Sequence, residues 1–378
     1  MSYGIAMGCF SAGTEARGGN LRRTLLLVTC LVSVLSAGAV NAETHKSKSA
    51  SSRHVDEPLT IQVTDDRLTL SLTDVPQVYL YGVIDVDAPE RFSRLVQSGK
   101  IPSGSDVYLN ASSGDVGAGI ALGRLFRRGS MVVHLGKPRR TGESNTATCV
   151  GACAYAYFGG LYRWAPGGSD RIGLTSAPAA NPDQVLSYLK DMGIQPTLLT
   201  TVAGATTNGA VWLTADQMLA SGLANNGKLP ITAKYQPSAK VPYLVLDQVD
   251  RHGEHQLTIE CKPGSITLTA IDKVGADHAR QIVSRGTRSY FEINWKEVLT
   301  QQPGGANVVG ESITMTRPFP PARLQYIIYA QSVGAWIGGR NNAFRNGFTF
   351  ELTPVRTTLK NYYQACWEAA PWPTHQDS

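Results

Sequence analysis

The sequence predicts an α/β layered domain followed by a smaller, mainly antiparallel β domain. Three observations predict it. Between about Leu59 and Lys228, short apolar runs alternate with segments of helical period, the pattern of strands joined by crossover helices. From Tyr243 onward apolar and polar residues alternate, which suits antiparallel strands with one buried face. The chain has 378 residues, enough for about two domains. Its 42% hydrophobic content against 17% charged residues supplies apolar material for two cores.

The elements follow in order. Arg17, Arg22 and Arg23 precede the apolar run Thr24–Leu35, and Val40-Asn41-Ala42 puts small residues where signal peptidase cuts. Residues 1–42 are therefore expected to be a cleaved signal peptide that delivers the chain to the periplasm. The run is too short for the ~20 apolar residues of a membrane span. Cys30 is a poor lipoprotein cysteine, because Thr29 precedes it. Glu43–Glu57 is rich in Ser, Lys and His without apolar period, and reads as a disordered linker.

Val78–Asp85 is expected to be a buried strand, Ala88–Ser98 a helix and Val107–Asn110 a strand. Val116–Arg127 is a helix with Val116, Ile120, Leu122 and Leu125 apolar, and Met131–Leu135 a strand. Gly136–Thr148 is a polar loop. Ala152–Phe158 is helical, Arg171–Thr175 a strand, and Pro182–Met192, Gln195–Ala203 and Thr214–Ser221 are helices. Strands separated by helices argue for a parallel layer with right-handed crossovers. The first domain is placed at 58–230, and Lys234–Pro242 reads as the core of a linker at 231–242. Strands are expected at Tyr243–Leu246, Gln256–Cys261, Ser265–Ile271, Tyr290–Ile293, Tyr326–Ile328, Ala335–Ile337 and Phe348–Leu352, then a helix at Thr357–Cys366. These make a second domain at 243–368 with a short tail.

Charge and cysteines narrow the function classes. The net charge of +6 falls by two when Arg17, Arg22, Arg23 and Glu15 leave with the signal. No basic stripe with interleaved aromatics remains, which argues against nucleic acid as a partner. Cleavage also removes Cys9 and Cys30, leaving Cys149, Cys153, Cys261 and Cys366. An even number in an oxidising compartment suggests two disulfides, with three connectivities open. Position in the chain favours Cys149–Cys153 and Cys261–Cys366. No histidine lies near the first pair at ligand spacing, so no metal is assigned, and no cofactor either.

The chemistry-bearing segments come in a fixed order. Asp106–Gly119 reads strand, Gly-containing turn (Ser112, Ser113, Gly114), helix. Cys149-Val150-Gly151-Ala152-Cys153 opens the next helix, Arg171–Thr175 is a strand, and Leu213–Leu223 is a closing helix. Over roughly Val78–Leu223 this order resembles the Clp protease/crotonase superfamily, above all secreted bacterial members with a Cys-x-Ser-Ala-Cys segment. The resemblance implies an oxyanion hole of two backbone N–H groups, one from the turn at Gly114 and one at Ala152. Such donors are worth ~3–4 kcal/mol each to a catalyst. It places the family nucleophile at Gly151, the histidine at Thr175 and the acid near Thr206. All three side chains are absent, and a serine mechanism needs a positioned base. No catalytic residue is therefore assigned. Ser112, Ser113, Gly114, Gly151 and Ala152 are left as a ligand cleft.

Other candidates read as structural. His134 is expected to be a satisfied strand histidine, Ser112 and Ser113 a polar turn, and Asp115 a helix-start carboxylate. A disulfide-bonded Cys149 is no nucleophile. His252 and His255 are placed at a solvated hairpin tip. The arginines of Lys137–Arg140 and Gly338–Arg345 are ordinary surface loops, and Trp164, Trp212, Trp295, Trp336, Trp367 and Trp372 are core or interface residues. Gly347–Pro354 and Leu359–Cys366 resemble small secreted β domains of the invasion-associated locus B type, which implies an interaction or envelope-stability role. The expected protein is an exported pseudoenzyme that binds a protein or peptide partner in the envelope without hydrolysis. The family implies a homo-oligomer. The alternative is a secreted serine-protease-like hydrolase with a displaced nucleophile such as Ser113.

Overall fold

Strand β1 (Thr60–Thr64) and helix α1 (Arg67–Thr73) begin the computed structural model of the chain, which describes residues 57–73, 75–138, 146–175, 182–195, 209–236, 241–298, 305–340 and 344–371. The first half continues with β2 (Gln77–Tyr81), α2 (Ala88–Gln97), β3 (Asp106–Asn110), α3 (Val116–Arg128) and β4 (Val132–Leu135). Then come β5 (Thr148–Val150), α4 (Ala152–Phe158), β6 (Tyr162–Arg163), β7 (Arg171–Thr175), α5 (Pro182–Asp191), β8 (Ala210–Leu213) and α6 (Ala215–Ala220). Strands β2, β3, β4 and β6 run parallel, with β1 antiparallel on the outer edge. A small sheet of β5, β7 and β8 stands beside them. The expected signal peptide, nearly all of the expected leader-side linker, and most of the expected helix Gln195–Ala203 lie outside the described residues.

Alternation along the strands sorts the side chains. Val78, Leu80, Val107, Leu109, Val133 and Leu135 join the buried core with Phe92, Ile120, Leu122 and Phe126 of the helices. The intervening Tyr79, Tyr108 and His134 lie on the opposite face and stack in a row, with ring centroids 4.9 and 4.8 Å apart. Trp164 extends the row at 4.9 Å from His134. Burial, then the neighbouring Asp106 charge, pushes the Tyr108 hydroxyl up to about 12.

Helix α3 starts where Asp115 accepts a hydrogen bond from the Ala118 amide at 2.7 Å, the N-cap its position predicts. Arg127 and Arg128 in its last turn complement the helix dipole. Helices α3 and α4 touch backbone to backbone. A Cβ on Gly119 would stand 2.2 Å from the Ala152 carbonyl oxygen, and one on Gly159 would stand 2.1 Å from that of Gly123.

The second half is mainly antiparallel. Strand β9 (Thr232–Gln236) occupies part of the stretch expected as a linker, because its backbone finds a ladder along β10 (Tyr243–Asp250). With β11 (Gly253–Lys262) and β12 (Ser265–Lys273) these form most of a six-stranded sheet. After α7 (Ala276–Arg285) come β13 (Arg288–Ile293), β14 (Lys296–Glu297), β15 (Asn307–Val309) and β16 (Ser312–Phe319), the last two completing that sheet. Helix α8 (Leu324–Ile328) replaces the expected strand Tyr326–Ile328. Two prolines lead into it, and Leu324, Ile327 and Ile328 are buried at helical spacing. Strand β17 (Ser332–Gly338) pairs with β13 on one side and with β18 (Arg345–Glu351) on the other, completing the four-stranded sheet β14-β13-β17-β18, and α9 (Arg356–Ala369) is the last described element.

Leu246, Leu257, Ile259 and Leu268 pack with Phe291, Val333, Phe348 and Phe350 in one core. Helix α9 buries Leu359, Tyr362 and Cys366 against it. Tyr362 donates to the Ile259 carbonyl at 2.8 Å, and Cys366 is bonded to Cys261 with a Cα separation of 5.6 Å. The chain is an α/β layered half followed by a mainly antiparallel β half, as the sequence predicts.

His252 and His255 do not share the solvated hairpin tip expected of both. His252 is at the tip, but His255 is only 5% exposed. Its ring sits between Asp272 (2.8 Å) and Asp250 (3.1 Å) and stacks on Phe348. The alternation of β11 turns His255 inward, where it carries the charge balance of two carboxylates.

Candidate functional site

Three turns and one strand end converge at the expected cleft. The turn after β2 is pinned by Asp85, which takes two 2.7 Å hydrogen bonds from Arg91 and one from the Leu59 amide. The Arg91 hydrogen bond outweighs burial and holds the Asp85 carboxyl far below the usual carboxylate range. Ile84, one residue earlier, accepts from the Asp115 amide at 2.8 Å and donates to the Ser113 carbonyl at 3.2 Å. The turn at Ser112-Ser113-Gly114 is thereby drawn against Ile84. A Cβ on Gly114 (φ +141°) would stand 2.5 Å from the Ile84 carbonyl oxygen, so only glycine permits this approach.

Strand β5 runs beside the end of β3. Val150 donates to the Ala111 carbonyl at 2.9 Å, and the Asn110 side chain accepts from the Thr148 amide at 2.9 Å. Gly151 then reverses the chain at φ 59°, ψ −113°, between β5 and α4. Its amide donates to the Gly173 carbonyl of β7 at 3.2 Å, which ties the elbow to the neighbouring strand. The disulfide Cys149–Cys153 spans this elbow with a Cα separation of 5.1 Å, and both cysteines are fully buried. A Cβ on Gly151 would stand 3.0 Å from Thr175 Oγ1, so positions 151 and 175 face each other.

The structure thus brings Ser112–Gly114, Gly151, Ala152 and Thr175 to neighbouring chain reversals, the turn exposed and Gly151 and Ala152 buried. The Gly114 and Ala152 amides donate to no other group among the described residues. The acid position near Thr206 lies outside them. Chemically, the facing pair is a hydrogen atom and a hydroxyl, which holds no base to take a proton.

His134 does not serve this elbow. It projects from the sheet face opposite Val133 and Leu135, stacked between Tyr108 and Trp164, with Nε2 3.5 Å from Asp106. Arg251, at the tip of the β10–β11 hairpin, reaches the same Asp106 at 3.2 Å and lies over Trp164. Neither Arg251 nor Asp106 was among the residues expected at a site. The available signal was an acidic residue at the start of a buried parallel strand, which requires a partner. Arg345 is no anion holder either, since it pairs with Glu292 at 2.7 Å and covers Trp336. Arg139 and Arg140 lie outside the described residues. Among the described residues, no group of three or more His, Cys, Asp or Glu is placed to hold a metal ion.

No protein-family model matches the chain, and no curated protein matches it either. Solved structures of Clp-protease type do. ClpP1 from Listeria monocytogenes is 17% identical, with 42% of this chain and 94% of that chain covered and a TM-score of 0.28. A mutant of the 1510-N membrane-bound stomatin-specific protease is 15% identical, with 39% of this chain and 75% of that chain covered and a TM-score of 0.28.

Proposed function

We propose that the chain is an exported binding protein of the bacterial envelope, in which the elbow at Gly151 is a structural frame and not a catalytic centre. The observation that carries this reading is the pair Gly151 and Thr175. The backbone holds position 151 in a sharp turn of positive φ aimed at position 175, yet Gly151 has no side chain and the Thr175 hydroxyl faces no base at position 151 to activate it. Two disulfides support an oxidising compartment. No helix among the described residues is long and apolar enough to cross a membrane.

The partner this reading names is a protein or an extended peptide lying along Ser112–Gly114 and the Gly151 elbow. The Gly114 amide, on the exposed turn, would meet one of its carbonyl groups, as a backbone-recognising groove does. Homo-oligomerisation and a separate interaction role for the β half belong to the same proposal.

The test is capture from periplasmic extract by the purified chain and by Gly151→Trp, with Gly151→Ala as the control for backbone strain. The reading expects a partner retained by the parent and by Gly151→Ala but lost with Gly151→Trp at unchanged fold. Equal capture by all three would move the working surface away from the elbow.

A further inference from the structure

Strands β13 and β14 are joined by two residues, Asn294 and Trp295, closed by the pair Ile293 and Lys296. Both central residues have positive φ, 50° and 60°. A two-residue turn of this kind favours Asn-Gly or Asp-Gly. Asn294 fits, and its side-chain oxygen also accepts from the Gln331 amide at 2.7 Å and the Ser332 amide at 3.3 Å. Trp295 does not fit. A bulky residue here is disfavoured against glycine, and the indole recovers little by burial, because it is 60% exposed. Local strain spent on displaying an aromatic ring points to a use outside the chain.

The surface beside the turn has the same character. Gln331, which Asn294 holds, closely follows α8 and Tyr329. Tyr326 and Tyr329 are three residues apart, hence on one face, and are 58% and 64% exposed. Lys360 of α9 stands over the Tyr329 ring. Lys296, Arg323 and Lys360 are exposed, and none has an ion-pair partner among the described residues. The two acids of the hairpin are both paired, Glu297 with Arg288 at 3.1 Å and Glu292 with Arg345 at 2.7 Å.

We propose that Trp295, Tyr326 and Tyr329, ringed by Lys296, Arg323 and Lys360, form a peripheral docking surface for an anionic phospholipid bilayer. Tryptophan and tyrosine have an apolar body and a polar edge, which suits the headgroup region. The three cations meet lipid phosphates there, and the balance of charge favours an anionic surface over a neutral polysaccharide. This surface belongs to the β half, so its test is independent of the reading of the Gly151 elbow.

The experiment is co-sedimentation of the full chain with vesicles of phosphatidylcholine alone or containing phosphatidylglycerol, at low and high salt. Binding is expected to favour the anionic vesicles at least tenfold and to weaken with salt. Each of Lys296→Gln, Arg323→Gln and Lys360→Gln should weaken it about fivefold. Trp295→Gly should lower binding several-fold while leaving the melting temperature equal or higher, since glycine fits the turn. If Trp295→Gly instead lowers the melting temperature, the strain argument falls and the exposed pair Tyr326→Ser/Tyr329→Ser decides: retained vesicle binding overturns the proposal. Absence of any anionic preference also overturns it, as does binding to insoluble polysaccharide in place of vesicles.

Discussion

Gly151 and Thr175 face each other: a Cβ built on Gly151 stands 3.0 Å from Thr175 Oγ1. One comes from the β5–α4 elbow, the other from the end of β7, and the hydrogen bond from the Gly151 amide to Gly173 fixes the distance between them. Gly151→Ser would therefore put a hydroxyl against a hydroxyl. At φ 59° and ψ −113° any side chain is strained, by ~1–3 kcal/mol. The variant is expected to melt lower and to remain unreactive, with thermal melts and a serine probe as the readouts.

The contact between α3 and α4 makes a second prediction. Gly119→Ala drives a methyl into the Ala152 backbone, and Gly159→Ala drives one into Gly123. Neither neighbour is a movable side chain, so each should cost ~1–3 kcal/mol. Gly167→Ala, which meets nothing within 4 Å, should stay within ~0.5 kcal/mol of the parent. Denaturant midpoints separate the three.

His255 gives a pH dependence. Burial acts to lower its pKa, but hydrogen bonds to Asp250 and Asp272 outweigh that and raise it to about 9. The folded value lies above the unfolded ~6.5, so the stabilisation is complete below that pH and is lost as pH climbs through 9. The denaturant midpoint should fall across this window. His255→Gln should start lower and stay flat there, and a parent midpoint that does not move would contradict the assignment.

The two disulfides should differ in worth. Cys149–Cys153 closes a loop with a sequence separation of 4, and Cys261–Cys366 one of 105. Loop-closure entropy then gives about 2 kcal/mol for the first and about 5 kcal/mol for the second. Cys261→Ser/Cys366→Ser should be the more destabilised pair by urea titration at neutral pH.

Periodicity made most of the first half legible. Val107–Asn110, Val116–Arg127 and Ala152–Phe158 carry their period in their own residues, and Asp115 announces its helix. Thr232–Gln236 was hidden because its strand exists through its ladder with β10, not through its own apolar content. Leu324–Ile328 is too short to show a period, and α7 buries only Ala279 and Ile282. At the site, the order of motifs singled out positions 112–114, 151, 152 and 175, which the fold brings to neighbouring chain reversals. The facing of positions 151 and 175 depends on β5 pairing with β7, a long-range register no local pattern encodes. His255 read as a turn residue because its partners Asp250 and Asp272 come from two other strands.

In the proposed function the elbow frames a surface and does no hydrolysis. Intact-protein mass spectrometry of the purified chain after exposure to a fluorophosphonate probe tests it most directly. No adduct is expected, with Ser112→Ala/Ser113→Ala indistinguishable from the parent. A stoichiometric adduct mapped to Ser112 or Ser113, and abolished by those substitutions, would contradict it and establish a displaced nucleophile.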